Sequence, residues 1–401
     1  MCIFTNRMLS GMKKVMLPNP FWATLLVWLS PFLLFAQVNT QEKEKALQNQ
    51  QNNAIPTVKK KQAPAVEPGV ADGAVAGTMS EAGYLAVYQK LRKEALAANR
   101  YHIAPAKQAQ LNQVVEKLGE MNARSFEYHY ASYLNARFDT AAGHHLLEAY
   151  RLAPANKELL PELTLFFEAK GEPAQQLRYC KLIQQQNLYD PYLYAYARNL
   201  LKSVEPGAFL ITRGEWDTQP LWVLQKVQGI RTDVTILQME LLHQERYFNR
   251  AMAPFKLKKG AYKRFTTDKG AFFRELAEAG EKKPVYLSVT VEKQLLGKAA
   301  EHLYTTGLAM KLTTMPYDNL PVLKVNWSSF DQSALVPATL NPDLNRMAAN
   351  YLLPMGLLYQ HELSEGNRAG AEKLKQQMTT LAQKAGKTEE LNRFLKAPPK
   401  K

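Results

Sequence analysis

Two carboxylates and an indole stand close together in the run Arg213-Gly-Glu-Trp-Asp-Thr-Gln-Pro220. Glu215 and Asp217 are two residues apart, with Trp216 between them and Thr218 after them. Placed in a turn, two such acids can hold a cation or a sugar hydroxyl, or divide the work of a general acid and a general base. Trp216 then either stacks on a sugar ring or packs on the core. The structural alternative is that Asp217 or Thr218 caps a helix starting near Pro220, with proline in its first turn. A second pair, Arg231 and Asp233, offers either ligand contacts or a buried ion pair that fixes the turn into the second strand. A third group, Lys256, Lys258, Lys259, Lys263 and Arg264, is the densest basic cluster of the chain. It reads as an anion-binding surface or as a solvated loop.

The elements around these residues follow from periodicity. Ala208–Thr212 and Val234–Leu237 are short apolar runs of strand type, and between them Leu221, Leu224 and Val227 fall on one helix face. Strand, acidic turn, helix and strand in that order place the turn where open α/β folds bind ligands. Pro284–Val291 and Gly307–Leu312 read as further strands, with helices over Thr218–Val227, Leu241–Arg250 and Lys269–Ala279. The expected sheet is small and mostly parallel.

Upstream, helices are expected at Phe126–Phe138, Ala141–Leu152, Asn156–Lys170, Pro173–Gln185 and Asp190–Lys202. Asn156 and Asp190 suit N-caps and stand 190 − 156 = 34 positions apart, the tetratricopeptide period. Leu146–Asn156 and the Ala169-Lys-Gly171 turn resemble that repeat over about two units, the alternative being a plain helical bundle. Downstream, Asn341–Leu395 is helical, with Ser364-Glu-Gly-Asn367 as the turn of a hairpin. The fold class is therefore α+β: tetratricopeptide-like helical repeats flanking a small, mostly parallel α/β unit. The divisions are 1–36, 37–78, 79–203, 204–330, 331–396 and a tail at 397–401.

Residues 1–36 read as an export signal. Lys13 and Lys14 precede the 16-residue apolar run Phe21–Ala36, and cleavage is expected after Ala36. Leu34 at the third position before the cut is larger than usual, and Met12 is an alternative start. An uncleaved anchor in the inner membrane is the competing reading, but the run is shorter than the roughly 20 residues of a spanning helix. Residues 37–78, rich in Gln, Ala, Pro and Gly, have the composition of a flexible linker. With Cys2 removed, Cys180 is alone and is expected to be a buried small hydrophobe.

The chain carries a net charge of +15, and removing Arg7, Lys13 and Lys14 leaves 15 − 3 = +12. That excess favours an anionic surface or an acidic glycan as a possible partner. Export and the lack of a nucleic-acid motif argue against nucleic acid. Adjacent His144 and His145 point to different helix faces and make a poor metal pair, and no metal-ligand, phosphate-loop or nucleophile-elbow spacing occurs. No cofactor, metal or catalytic residue is expected.

The stretch Asn199–Val234 resembles the soluble C-terminal region of a bacterial multi-pass membrane family described as protein O-mannosyltransferase-like. That family's pattern runs approximately Gly-Asp-Asn-Asp-Thr-Phe-Pro-Leu-Trp and then Gly-Val-Arg-Pro-Asp-Val. Gly214, Asp217, Thr218, Pro220, Leu221, Trp222, Gly229, Arg231, Asp233 and Val234 match it. Lys283–Thr290 and Tyr304–Leu312 add support, and the likeness spans roughly Ala195 to Gly366. Glu215 and Trp216 depart from the pattern, which has Asp and Asn there. The family's transferase chemistry belongs to its multi-pass part, so the resemblance implies an accessory domain outside the cytoplasm, with an envelope protein or membrane complex as partner. The leading expectation is a non-catalytic binding or scaffold protein of the cell envelope, periplasmic or otherwise exported. The alternative is a carbohydrate-active or hydrolytic enzyme using Glu215 and Asp217.

Overall fold

A computed structural model describes residues 79–98, 103–136, 139–281, 283–337 and 341–396. The export-signal, linker and tail segments read from the sequence lie outside them. The fold class is α+β, with helices before and after a five-stranded sheet.

The first helices pair in sequence order. α1 (Glu81–Ala98) packs on α2 (Pro105–Asn122), α3 (Phe126–Asn135) on α4 (Gly143–Leu152), and α5 (Leu159–Lys170) on α6 (Pro173–Gln185). α7 (Pro191–Lys202) follows, with Asp190 as its N-cap accepting from the Tyr192 N–H at 2.8 Å. The other expected cap, Asn156, bonds the Glu158 N–H instead and sits in a turn ahead of α5. Two turn residues, Lys157 and Glu158, separate it from the helix, so Glu158 holds the N-cap position. α5 is buried over Leu159–Phe167 apart from its polar end, as expected of a helix with neighbours on all sides.

The sheet has the order β2-β1-β3-β5-β4, from β1 (Phe209–Thr212), β2 (Thr235–Gln238), β3 (Val285–Ser288), β4 (Leu303–Thr305) and β5 (Ala309–Leu312). β1 runs parallel to β2 and to β3, whereas β5 is antiparallel to both β3 and β4. The sheet is thus mixed, not mostly parallel. The cause is the tight Thr306-Gly307-Leu308 turn, too short for the crossover that parallel strands need. Gly307 sits at φ 147, and a Cβ there would meet the Ser203 hydroxyl at 2.4 Å. β4 is absent from the sequence reading because three residues give no usable period.

Helix α8 (Glu215–Lys226) joins β1 to β2 and is the centre of the molecule. It touches α5, α6 and α7 on one side and β2 on the other, and Asp217–Leu224 are all buried. Gln219 is bonded into this packing: its amide donates to the Pro161 carbonyl at 2.9 Å and accepts from the Thr164 hydroxyl at 2.6 Å. After β2 come α9 (Glu245–Met252), α10 (Ala261–Thr267) and α11 (Lys269–Ala279), held by the Phe248–Phe265–Phe272 ring cluster.

The C-terminal helices are α12 (Leu320–Ser329), α13 (Pro342–Ala348), α14 (Leu352–Ser364), α15 (Arg368–Ala385) and α16 (Thr388–Lys396). The hairpin turn lies where expected, with Asn367 capping α15 through the Gly370 N–H at 3.1 Å. α7 ties this group to the rest. Fully buried Asn199 donates to the Tyr351 hydroxyl at 2.8 Å and accepts from the Asp331 N–H at 2.9 Å. Cys180 is fully buried on α6, as expected, and burial pushes its thiol up to about 12. Among the described residues no helix is long and apolar enough to cross a membrane.

Trp222 is 1% exposed at the middle of α8. Trp222→Ala is expected to cost about 3–5 kcal/mol. Chemical denaturation should show one transition moved to lower denaturant.

Candidate functional site

α8 begins directly after β1, at Gly214, whose φ of 78 and ψ of 172 turn the chain from strand to helix. An L side chain rarely tolerates that conformation. Glu215, Trp216, Asp217 and Thr218 are therefore the first turn of the helix, not a loop before it. This corrects the expected start near Pro220, which lies inside the helix. The consequence for the two acids is geometric. Residues two apart on a helix point about 200° away from each other, so they do not share a face.

Asp217 turns inward. The Ser288 hydroxyl donates to its Oδ1 at 2.9 Å, while the Thr290 hydroxyl at 2.7 Å and the Arg213 N–H at 3.1 Å donate to Oδ2. Its carboxyl is 3% exposed. Burial pushes its pKa up to about 6, and the three donors only partly oppose that. Thr218 bonds the Gly214 carbonyl at 2.7 Å and meets the Thr212 hydroxyl at 2.8 Å. Neither residue is the N-cap; both tie the first turn of α8 to the carboxyl ends of β1 and β3. The chain leaves β1 for β2 on one flank and then crosses to β3 on the other, so the ligand crevice of an open α/β sheet lies between β1 and β3. Here that crevice is spanned by the Asp217–Ser288–Thr290 bonds. Arg213, 10% exposed, lies beside it and pairs with Glu292 at 3.1 Å and Glu240 at 3.6 Å.

Glu215 and Trp216 turn the other way. They line a cavity of about 500 Å³ where three parts of the fold meet. Tyr130 of α3 and the α4–α5 and α6–α7 turns form its walls, with Asn341 and Leu344 at α13. The Tyr189 hydroxyl donates to Glu215 at 2.9 Å and remains protonated, because burial and the neighbouring carboxylate hold its pKa high. The Tyr133 hydroxyl donates to Glu162, another wall residue, at 3.3 Å. Asp217 is not among the lining residues. The acid pair of the enzymatic reading is therefore split: one carboxylate faces the cavity, the other faces the sheet.

Arg231 and Asp233 lie away from this cavity and form a clamp. The pair is bidentate, at 2.9 and 3.0 Å. The same guanidinium donates to the carbonyls of Leu201 at 2.6 Å, Val204 at 3.3 Å and Glu205 at 3.1 Å, the end of α7. A cation there complements the helix dipole. Asp233 also accepts the Gly207 N–H at 3.0 Å, and its pairing with Arg231 brings its pKa down to about 2. The pair fixes a turn but is not buried as expected: the Arg231 and Asp233 side chains are 28% and 40% exposed, because the turn they close lies at the surface. Arg250, a residue that periodicity alone does not mark, does the same for α5. It donates to the Glu168 carbonyl at 2.6 Å and the Ala169 carbonyl at 3.2 Å, beside left-handed Gly171.

The basic cluster divides. Arg264 is turned inward, bonding Glu275 at 2.6 Å and the carbonyls of Lys258 and Lys259 at 2.9 and 2.8 Å. Lys256, Lys258, Lys259 and Lys263 stay exposed. The expected solvated loop becomes α10 from Ala261 onward. His144 and His145 have ring centroids 4.0 Å apart, closer than their placement on separate faces implies, and His145 Nδ1 lies 2.8 Å from His129 Nδ1. Among the described residues no group of three His, Cys, Asp or Glu side chains is placed to hold a metal ion.

The model of the family TMEM260-associated domain 2 matches residues 193–363, from α7 to α14, and points to a TMEM260-related family. No curated protein and no solved structure matches the chain. The matched stretch contains Glu215, Trp216 and the whole sheet, while Tyr130, Glu158 and Glu162 of the cavity lie before it.

Two expectations follow. Arg231→Ala should cost about 1–2 kcal/mol, the scale of charge-assisted hydrogen bonds discounted for partial exposure. Because the folded pKa of Asp233 lies below its ordinary 3.8, the pair's contribution is present above that pH and fades toward about 2. Thermal melts of both proteins over that range should converge as the pH falls. Asp217 has the opposite sign. Its folded pKa lies above 3.8, so its ionisation destabilises the fold progressively between pH 3.8 and about 6. The shift corresponds to a cost on the order of 3 kcal/mol, complete above that window. Asp217→Asn should lack this pH slope, and an identical slope in both proteins would contradict the assignment.

Proposed function

We propose that this chain is an exported, non-catalytic binding module of the cell envelope, and that its ligand seats in the cavity at the start of α8. In this reading it is an accessory domain similar to the soluble part of the O-mannosyltransferase-like membrane proteins. Its helical pairs play the part of tetratricopeptide-like repeats, and its partner is an envelope protein or a membrane complex. The family match over residues 193–363 supports the accessory-domain assignment. The leader-like composition of residues 1–36 supports export.

The observation that carries the binding reading is the direction of Glu215 and Trp216. An exposed carboxylate and a half-buried indole face a concave volume of about 500 Å³, within the usual size range of ligand sites. Their positions are held by buried neighbours, so the wall is formed before any ligand arrives. The same geometry argues against the hydrolytic alternative, since Asp217 is committed to Ser288 and Thr290.

The test has two parts. Amino-terminal sequencing of the chain recovered from the envelope fraction should begin at Gln37; recovery from the cytoplasm with its leader intact would contradict export. Capture from native membranes should return the same partner repeatedly with the natural chain and lose it with Trp216→Ala. An unchanged partner set in that variant, or no reproducible partner, overturns the assignment of the cavity.

A further inference from the structure

We infer that His129 of α3 and His145 of α4 form an acid-sensitive latch: the two imidazoles hold these helices together while at least one is neutral and part them when both are protonated. The latch governs part of the cavity wall. Tyr130 follows His129 on α3 and lines the cavity, and Lys157 and Glu158 line it from the turn after α4. The consequence for binding rests on the cavity reading; the latch itself does not.

The contact joins like atoms. His129 Nδ1 and His145 Nδ1 are 2.8 Å apart, with ring centroids at 5.1 Å. At that distance one imidazole must donate through Nδ1–H and the other accept on a bare Nδ1. A first proton goes to the Nε2 of the donor ring and leaves the bond in place. A second puts hydrogen on both facing nitrogens and a charge on both rings. The bond is then lost, and like charges meet where it stood. His144 gives no relief: its Nδ1 is 2.9 Å from the Ala141 carbonyl, and its ring lies 4.0 Å from that of His145.

The surroundings favour the neutral pair. The Tyr128 ring stands edge-on to His129 and His145, with centroids 5.4 and 5.6 Å away. Gly119 of α2 backs that ring; a Cβ there would come within 3.0 Å of it. Glu148 and Arg151 of α4 both act on His129, but they are bonded to each other at 2.7 and 2.9 Å. His144 acts on both members of the pair. Among the described residues, α1, α2 and α5, which also pack on this hairpin, set no charge against either imidazole. Burial, with the charges of His144 and His129, pushes His145 down to about 4. Burial also lowers His129, against the pull of Glu148. Both folded values lie below the ordinary 6.5, so the latch is fully closed above that pH and fails progressively toward about 4.

Hydrogen exchange of the full chain tests this, expressed as protection relative to the intrinsic rate at each pH, with EDTA present to keep trace metal off the rings. Between about pH 7 and about pH 4.5 the amides of α3 and α4 are expected to lose at least about tenfold of their protection, while those of α8 and β1 keep theirs. His129→Asn places an amide near the former Nδ1 and can still accept from a protonated His145. This variant and its mirror, His145→Asn, should keep the neutral-pH protection of α3 and α4 and lose the acid response. His144→Asn should retain the response. The two latch variants act from opposite helices, so if one fails to fold the other decides. No loss in the natural chain, an equal loss in α8 and β1, an unchanged response in the latch variants, or a response abolished by His144→Asn overturns the inference. Unchanged partner capture with Trp216→Ala counts against the cavity reading alone, and unchanged protection of α3 and α4 counts against the latch alone.

Discussion

Everything in this fold depends on the burial of α8 over Asp217–Leu224. A helix between β1 and β2 would ordinarily cover one face of the sheet and show its other face to water. Here α5, α6 and α7 cover that outer side, so Asp217–Leu224 have no solvent-facing member. Burial on all sides removes water as a partner for polar groups, and each must be satisfied within the protein. Gln219 meets this through Thr164 and Pro161, and Thr218 through Gly214 and Thr212. Asp217 meets it through three donors and still titrates well above an ordinary carboxyl. The helical region and the sheet therefore share one core.

The same constraint produces the cavity. Because α8 starts at Gly214 with no intervening loop, its first turn must project Glu215 and Trp216 to one side and Asp217 to the other. Residues of α5 and α7 line the cavity opposite that first turn, and the start of α13 lines a further side. Arg231 and Arg250 hold this arrangement at its edges. Each reaches from the α/β region to the carbonyl end of a helix that packs on α8. The two clamps are alike in chemistry and unrelated in sequence position. The cavity's shape is thus a property of the shared core, which is what a preorganised binding site requires.

Much of this was legible in the residues. The β1–α8–β2 order, the positions of α6, α7, α11 and the final hairpin, and the Asp190 cap follow from period and turn chemistry. The pairing of Arg231 with Asp233 was visible from their spacing. What was not legible has definite causes. Proline normally marks a first turn, so Pro220 concealed Glu215–Asp217, the three residues of α8 before the expected start at Thr218. β4 and α10 are too short to show a period. Asn156 lies two residues too early to cap α5, because Lys157 and Glu158 separate it from the helix. The cavity draws its walls from segments as distant as Tyr130 and Leu344, and no local pattern announces such a meeting. Arg250 was invisible for the same reason: its partners, the carbonyls of Glu168 and Ala169, are backbone atoms with no sequence signature.

The central claim is that the helical region, the sheet and the cavity between them form one cooperative body through α8. Native-state hydrogen exchange measures this directly. Amides of α5, α7, α8 and β1 should exchange only through one common opening whose free energy equals that of global unfolding. If α5 and α7 exchanged through a separate, lower-energy opening while α8 and β1 stayed protected, the shared core would be contradicted, and with it the preformed cavity.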